Sequence, residues 1–137
     1  MKIVLDEGAI LPTRAHPYDA GLDLYSREDA IIHPNVRAVF DTGVHVAIPE
    51  GYCGYIKSRS GLMCKKGLIA DGTIDSGYTG SIGVILFNLS GTKVTIKKGE
   101  KIAQLVIHRC ELPELEVVET LEETERSNGG FGSTGRF

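Results

Sequence analysis

A chain of 137 residues can fill one hydrophobic core and not two. Its 42% apolar and 24% charged residues are the proportions of an ordinary globular domain. A net charge of −3 excludes the broad basic field of a general nucleic-acid binder, so any polyanionic ligand must be met by local basic groups.

No apolar run reaches membrane length and no signal-like segment follows Met1, which predicts a cytoplasmic protein without direct membrane or nucleic-acid contact. Short strands are predicted over Lys2–Leu5, Gly21–Tyr25, Ala38–Phe40, Val44–Ile48, Gly51–Lys57, Ser81–Leu89, Lys93–Ile96 and Ile102–His108, separated by Gly, Pro, Asn and Asp. Such spacing, with 17 glycines and no amphipathic helix of useful length, predicts an all-β sandwich or barrel in a single domain. In the strand Gly21–Tyr25, Leu22 and Leu24 share one face, so Asp23 points away from them. Its hard carboxylate suits Mg²⁺, directly or through water, and equally suits solvent.

After Lys57 comes Ser58-Arg59-Ser60-Gly61-Leu62 at a strand-to-helix junction. An arginine, a hydroxyl and a glycine there could cradle an oxyanion; an N-cap serine beside a solvated arginine explains them as well. A helix of a turn or two is predicted through Gly61–Lys66, ended by Gly67. Gly72-Thr-Ile-Asp-Ser-Gly-Tyr-Thr-Gly80 reads as a β-hairpin holding Asp75 at the sheet rim near Tyr78. That carboxylate could orient and deprotonate a water, or form an ordinary Asx turn.

Two strands, Ile82–Phe87 and Ile102–Ile107, are apolar on both faces, which predicts that both are covered, one by another subunit. Gln104 is the lone polar residue in the second of them and must find a partner. Glu111–Glu125 is an acidic arm containing Pro113, and it leads to the tail Arg126–Phe137. This tail is too glycine-rich to join a core, yet it offers backbone N–H groups, Ser133, Thr134 and arginine charge to an anion, and Phe131 as a stacking face. Cys53, Cys64 and Cys110 lack metal-ligand spacing and read as reduced thiols. Phosphate-loop, dinucleotide-binding, zinc-protease and nucleophile-elbow motifs are absent from the sequence.

In order, Ala20–Ser26, Ser58–Leu62, Gly72–Gly80, Gly99–Leu105 and Arg126–Gly135 resemble the five motifs of the trimeric deoxyuridine triphosphatase (dUTPase) family. The resemblance runs across essentially the whole chain. It implies a jelly-roll-like β-barrel over 1–110, a connecting arm over 111–125 and a lid over 126–137. It further implies a homotrimer with active sites at subunit interfaces. Each site takes the third motif from one subunit, the first, second and fourth from another, and the tail from the remaining one.

The implied reaction turns dUTP into dUMP and pyrophosphate, which limits uracil in DNA. By resemblance, Asp75 activates the water that attacks the α-phosphate, and Asp23 holds Mg²⁺ through water. Arg59, Ser60, Gly61 and Gln104 hold phosphates; Arg126, Gly132, Ser133 and Thr134 close on the γ end. Gly72, Ile74 and Tyr78 meet the uracil and deoxyribose, Phe131 stacks over the base, and Asp71 is a further candidate for the uracil edge. The departures from the family pattern are Ser58 in place of a common proline, Ser127-Asn128 in the tail, and a segment before the third motif without an asparagine. The dCTP deaminase branch of the same fold is disfavoured by Asp75 and the tail, and a plain structural jelly roll leaves both unexplained. A nucleotide-sensing module, or a hydrolase that also regulates a partner, stays open.

Overall fold

The structure, a computed structural model, describes residues 1–130 and 133. It is an all-β protein with ten strands and one short helix among the described residues. The strands are β1 (Lys2–Leu5), β2 (Gly21–Tyr25), β3 (Ala30–Ile32), β4 (Arg37–Asp41), β5 (Val44–Ala47), β6 (Tyr52–Lys57), β7 (Leu68–Ile74), β8 (Gly83–Asn88), β9 (Val94–Ile96) and β10 (Lys101–Arg109), with α1 (Ser60–Lys66) between β6 and β7. Six strands form one sheet in the order β2-β10-β6-β7-β8-β4, while β1 pairs with β5 and β3 with β9.

The large sheet curls because β7 changes partner along its length. Leu68–Ala70 pairs with β8, whereas Asp71–Ile74 pairs with β6. Such partner exchange is how a sheet turns a corner. Inside the curl lie Leu24, Ile32, Phe40, Ile56, Leu86, Ile96, Ile102 and Leu105, all essentially without solvent exposure. The inward periodicity of two is what fixes the register, since a one-residue slip would turn these side chains to water.

Asn88 is fully buried among them, and its amide is fully used. It donates to the carbonyls of Ile32 (2.9 Å) and Thr92 (2.8 Å), and its oxygen accepts from the Ser90 N–H and hydroxyl. This joins the end of β8 to β3 and to the turn before β9.

Gly67 ends α1 as predicted. Its φ of 65° lies in the left-handed region, and its N–H donates to Met63 O at 3.1 Å. The helix starts differently from an N-cap serine: Arg59 occupies the cap in extended backbone, with no side-chain cap. Ser58 instead bonds across to β7, donating to Ala70 O and accepting from Ala70 N.

Two expectations need correction. Strands β3 and β7 were not predicted; β7 carries Asp71 and Gly72, poor strand formers that tertiary pairing overrides. The segment Gly72–Gly80 is not a hairpin closed at Ser76-Gly77. A turn exists, with Tyr78 N–H donating to Asp75 O, but the chain then leaves β7, and Ile82 N–H bonds Val44 O of β5. Within one chain the apolar strands bury one face only. Val84 and Leu86 are buried, while Phe87 on the outer side is 39% exposed and Val39 of β4, which pairs with Ile85, is 62% exposed. Beyond Arg109 the described residues form no helix or strand, and 111–125 are exposed throughout. No helix is long and apolar enough to cross a membrane among the described residues.

Candidate active site

Antiparallel register assembles the first group of predicted residues. On β10, Gln104 stands opposite Asp23 of β2 on one side and Lys57 of β6 on the other. The chain leaving β6 at Lys57 therefore delivers Ser58, Arg59, Ser60 and Gly61 to the same place. Asp23, Arg59, Ser60, Gly61 and Gln104 line one cleft of about 180 Å³, walled by Ala15, Asp19 and Gly21. Arg14 braces that wall by donating to the carbonyls of Asp19 and Ala20.

Asp23 is 8% exposed and anchors the cleft. One carboxylate oxygen lies 3.0 Å from Arg59 Nε and the other 2.7 Å from Lys101 Nζ. The hydrogen bond that the Lys101 ammonium donates to Asp23 holds it above its ordinary pKa, against the opposing effect of desolvation. Asp23 thus lies between two cations. The first-turn N–H groups of Ser60 and Gly61 have no acceptor within their helix and add further donors. Gln104 donates to Ser58 O at 3.0 Å, and its side chain passes directly over Gly21: a Cβ at position 21 would lie 2.0 Å from Gln104 Oε1. The glycine in the first motif is thus a clearance for the glutamine of the fourth.

Lys101 was missed by the sequence reading for a physical reason. Strict alternation separates positions 101 and 104 onto opposite faces, but β10 carries an irregularity between Lys101 and Ala103. That bulge puts the ammonium beside Asp23.

The second group lies elsewhere. Ile74 pairs with Gly54, and Gly54 with Ile107, so Asp75 projects from the end of β6 remote from Arg59. Three strand positions, roughly 10 Å, already separate Gly54 from Lys57, and Asp75 and Arg59 each lie beyond those points. Neither Asp75 nor Tyr78 lines the cleft. Asp75 is exposed, and its charge helps raise the pKa of the Cys110 thiol, after burial, the Cys53 thiol and the Glu111 charge. Tyr78 curls over its own loop: its hydroxyl donates to Ser81 O at 2.9 Å, and its ring occupies the space a Cβ on Gly80 would need.

Gly72 pairs with Ile56 on β6, and Ile74 is largely buried beside it. Asp71 is held by Lys57 Nζ at 2.7 Å, a hydrogen bond that keeps its carboxyl below the usual carboxylate range. Arg126 and Ser133 make contacts within the tail: Arg126 Nε donates to Gly129 O, and Ser133 N–H to Gly130 O. Phe131, Gly132 and Thr134 lie outside the described residues.

Among the described residues no three His, Cys, Asp or Glu side chains gather into a metal cage. Mg²⁺ rarely needs one; it keeps several waters and binds through one or two carboxylates together with substrate phosphates. Asp23 suits that mode through water, because each of its oxygens already faces a cation.

A curled antiparallel sheet with a polar cleft in which a carboxylate faces an arginine and a lysine defines a β-barrel protein with a site for a small polar ligand. The chain belongs to the dUTPase family, whose model matches residues 7–135. It is 48% identical over 135 residues to the deoxyuridine 5'-triphosphate nucleotidohydrolase of Rhodococcus erythropolis, covering 96% of this chain and 82% of that one. To the mitochondrial enzyme of that name from Homo sapiens it is 46% identical, covering 96% of this chain and 53% of that one. The fold is similar to that of the Staphylococcus bacteriophage 80alpha dUTPase with dUpNHpp: the TM-score is 0.91 at 36% identity, over 98% of this chain and 97% of the other. A mutant dUTPase of phage phi11 of S. aureus, in which a structural Mg(II) ion is coordinated, matches with a TM-score of 0.83 at 35% identity, over 89% and 98%.

Proposed function

We propose that this protein hydrolyses dUTP to dUMP and pyrophosphate at sites shared between the subunits of a homotrimer, with Mg²⁺ as cofactor. The observation that carries the reading is the cleft itself: three separate stretches of sequence converge there to hold six residues of the family motifs. In this reading Arg59, Ser60, Gly61 and Gln104 bind the phosphates, and Lys101 joins them through Asp23. Asp23 holds Mg²⁺ through water, and the ion neutralises phosphate charge when bound.

Asp75 comes from a different subunit, which accounts for its position at the far end of β6. Its carboxylate accepts a proton from water as the water oxygen bonds to the α-phosphorus. The bond from that phosphorus to the bridging oxygen breaks, and the electron pair leaves with pyrophosphate. Most of the acceleration then comes from positioning and charge, since phosphoryl transfer asks for little covalent work from protein.

Backbone groups of Gly72 and Ile74 face the uracil edge, and Tyr78 packs under the deoxyribose. Asp71, already engaged by Lys57, serves that edge through its backbone rather than its carboxylate. Arg126, Gly132, Ser133 and Thr134 close over the γ end, with Phe131 on the base.

Pyrophosphate release tests the proposal. With Mg²⁺, dUTP should turn over far faster than dCTP, UTP or dTTP, and EDTA should abolish turnover. A site whose polar groups go unpaired with the wrong base can discriminate by about 10⁴, while exclusion of one methyl is worth about 10–200-fold. Equal turnover of dUTP and dTTP would remove the specificity claim.

A further inference from the structure

The loop from Asp75 to Ile82 has a tether that none of the five motifs contains. We infer that His45 is a positioning residue for this loop, pinning Thr79 to β5 and thereby orienting Asp75 and Tyr78; this rests on the roles assigned to those two residues above. His45 lies on β5 opposite Val4 of β1. Its Nδ1 is 2.8 Å from Thr79 O, and its Nε2 is 3.2 Å from an Asp6 carboxylate oxygen.

Both partners can only accept hydrogen bonds. A neutral imidazole has one N–H and one lone pair, so it satisfies one partner and turns a lone pair on the other. Only the imidazolium donates to both. The ring is therefore a two-point strap in its protonated form and a one-point strap otherwise.

The surroundings favour the strap. Asp6 also faces Arg27 (3.7 Å), Arg27 pairs with Asp41 of β4 (3.1 Å), and Asp41 accepts from the Ser81 hydroxyl. Loop residues 79 and 81 are thus fastened to one chain of charges, with Lys2 of β1 lining the groove alongside. The Thr79 carbonyl, followed by the Asp6 and Asp41 charges, holds the imidazole above its ordinary pKa despite desolvation. A group with a raised folded pKa keeps its contribution in full below the unfolded value, about 6.5, and loses it as pH rises through the folded one. The two-point strap consequently holds in full below about pH 6.5 and slackens as pH rises through the raised folded value.

Hydrogen exchange of the full-length protein, followed by mass spectrometry and corrected for intrinsic rates, reads the strap without reference to catalysis. Protection of residues 76–81 should fall in wild type as pH rises from about 6 to 9. His45→Ala should exchange there about five- to tenfold faster at pH 6, and His45→Gln should show protection that does not vary with pH. Asp6→Asn should move the wild-type fall to lower pH, which a merely structural role for His45 would not do.

In dUTP turnover, His45→Ala should lose about five- to tenfold in kcat with a smaller change in KM, His45→Gln should recover part of it, and His33→Gln should match wild type. If wild type fails to hydrolyse dUTP, the proposed function falls while the exchange data still decide the strap. Identical loop protection in wild type and His45→Ala at every pH would overturn the inference. Should His45→Ala also lose protection in β8, the Asp6→Asn shift in otherwise intact protein decides instead.

Discussion

Replacing Gly21 by alanine should damage the cleft from its back wall. The added methyl would lie 2.0 Å from Gln104 Oε1, 2.9 Å from its Cδ and 3.0 Å from its Cβ. The amide end can swing aside, but Cβ is fixed to the strand and must shift with the backbone. Swinging the amide breaks its 3.0 Å bond to Ser58 O, a loss of about 0.5–1.5 kcal/mol, and an off-rotamer side chain adds about as much again. The sum is about 1–3 kcal/mol of stability, measurable by urea unfolding. Because Ser58 leads directly into Arg59, KM for dUTP should rise severalfold in parallel. The double variant Gly21→Ala with Gln104→Ala isolates the cause. If the methyl acts by displacing the glutamine, the pair should be no less stable than Gln104→Ala alone. Full additivity of the two single effects would refute the clash, as would a Gly21→Ala protein with unchanged stability and KM.

Asp75→Asn should fold normally, since the residue is exposed, yet lose about 10²–10⁴ in kcat; a melting curve with steady-state kinetics checks both, and retention of more than a tenth of kcat would remove the base assignment. Glu100 should govern part of the acid stability. Burial, the largest single influence, raises its pKa, but the Lys66 ammonium at 2.6 Å, the Lys97 N–H and the nearby charges together carry it below 4.5. A depressed folded pKa contributes stability above the unfolded value that is lost as pH falls through the folded one. Wild type should therefore exceed Glu100→Gln by about 1 kcal/mol or less at neutral pH, with the gap closing towards pH 3. Unfolding curves at both pH values test it, and a gap that widens in acid contradicts it.

The strands that the sequence announced are those with short apolar runs between turn residues, such as β2, β6 and β10. Those it hid are β7, whose Asp71 and Gly72 are held in place by pairing with β6, and the three-residue β3. At the site, the five cleft residues were legible as ordered motifs because each motif is local. Lys101 was not, because a bulge moves it across the sheet, and bulges leave no periodic trace. His45 was not legible either, since its partners Thr79 and Asp6 are 34 and 39 residues away and meet it only through the packing of β1, β5 and the third-motif loop. The expected Gly72–Gly80 hairpin failed for a related reason. The turn itself forms, but the chain then runs to β5 at Ile82, and the strand that follows, β8, returns along β7 only at Leu68–Ala70 while its other edge pairs with β4.

Subunit complementation tests the central claim, a dUTP-hydrolysing site divided between chains. Asp75→Asn and Arg59→Ala, each inactive alone, are unfolded together in equal amounts, refolded and assayed for pyrophosphate release from dUTP. If Asp75 and Arg59 reach a site from different subunits of a randomly mixed trimer, about one quarter of the sites regain both intact residues. Turnover should then recover to about a quarter of the wild-type value. Mixed trimers as inactive as their parents would contradict the account.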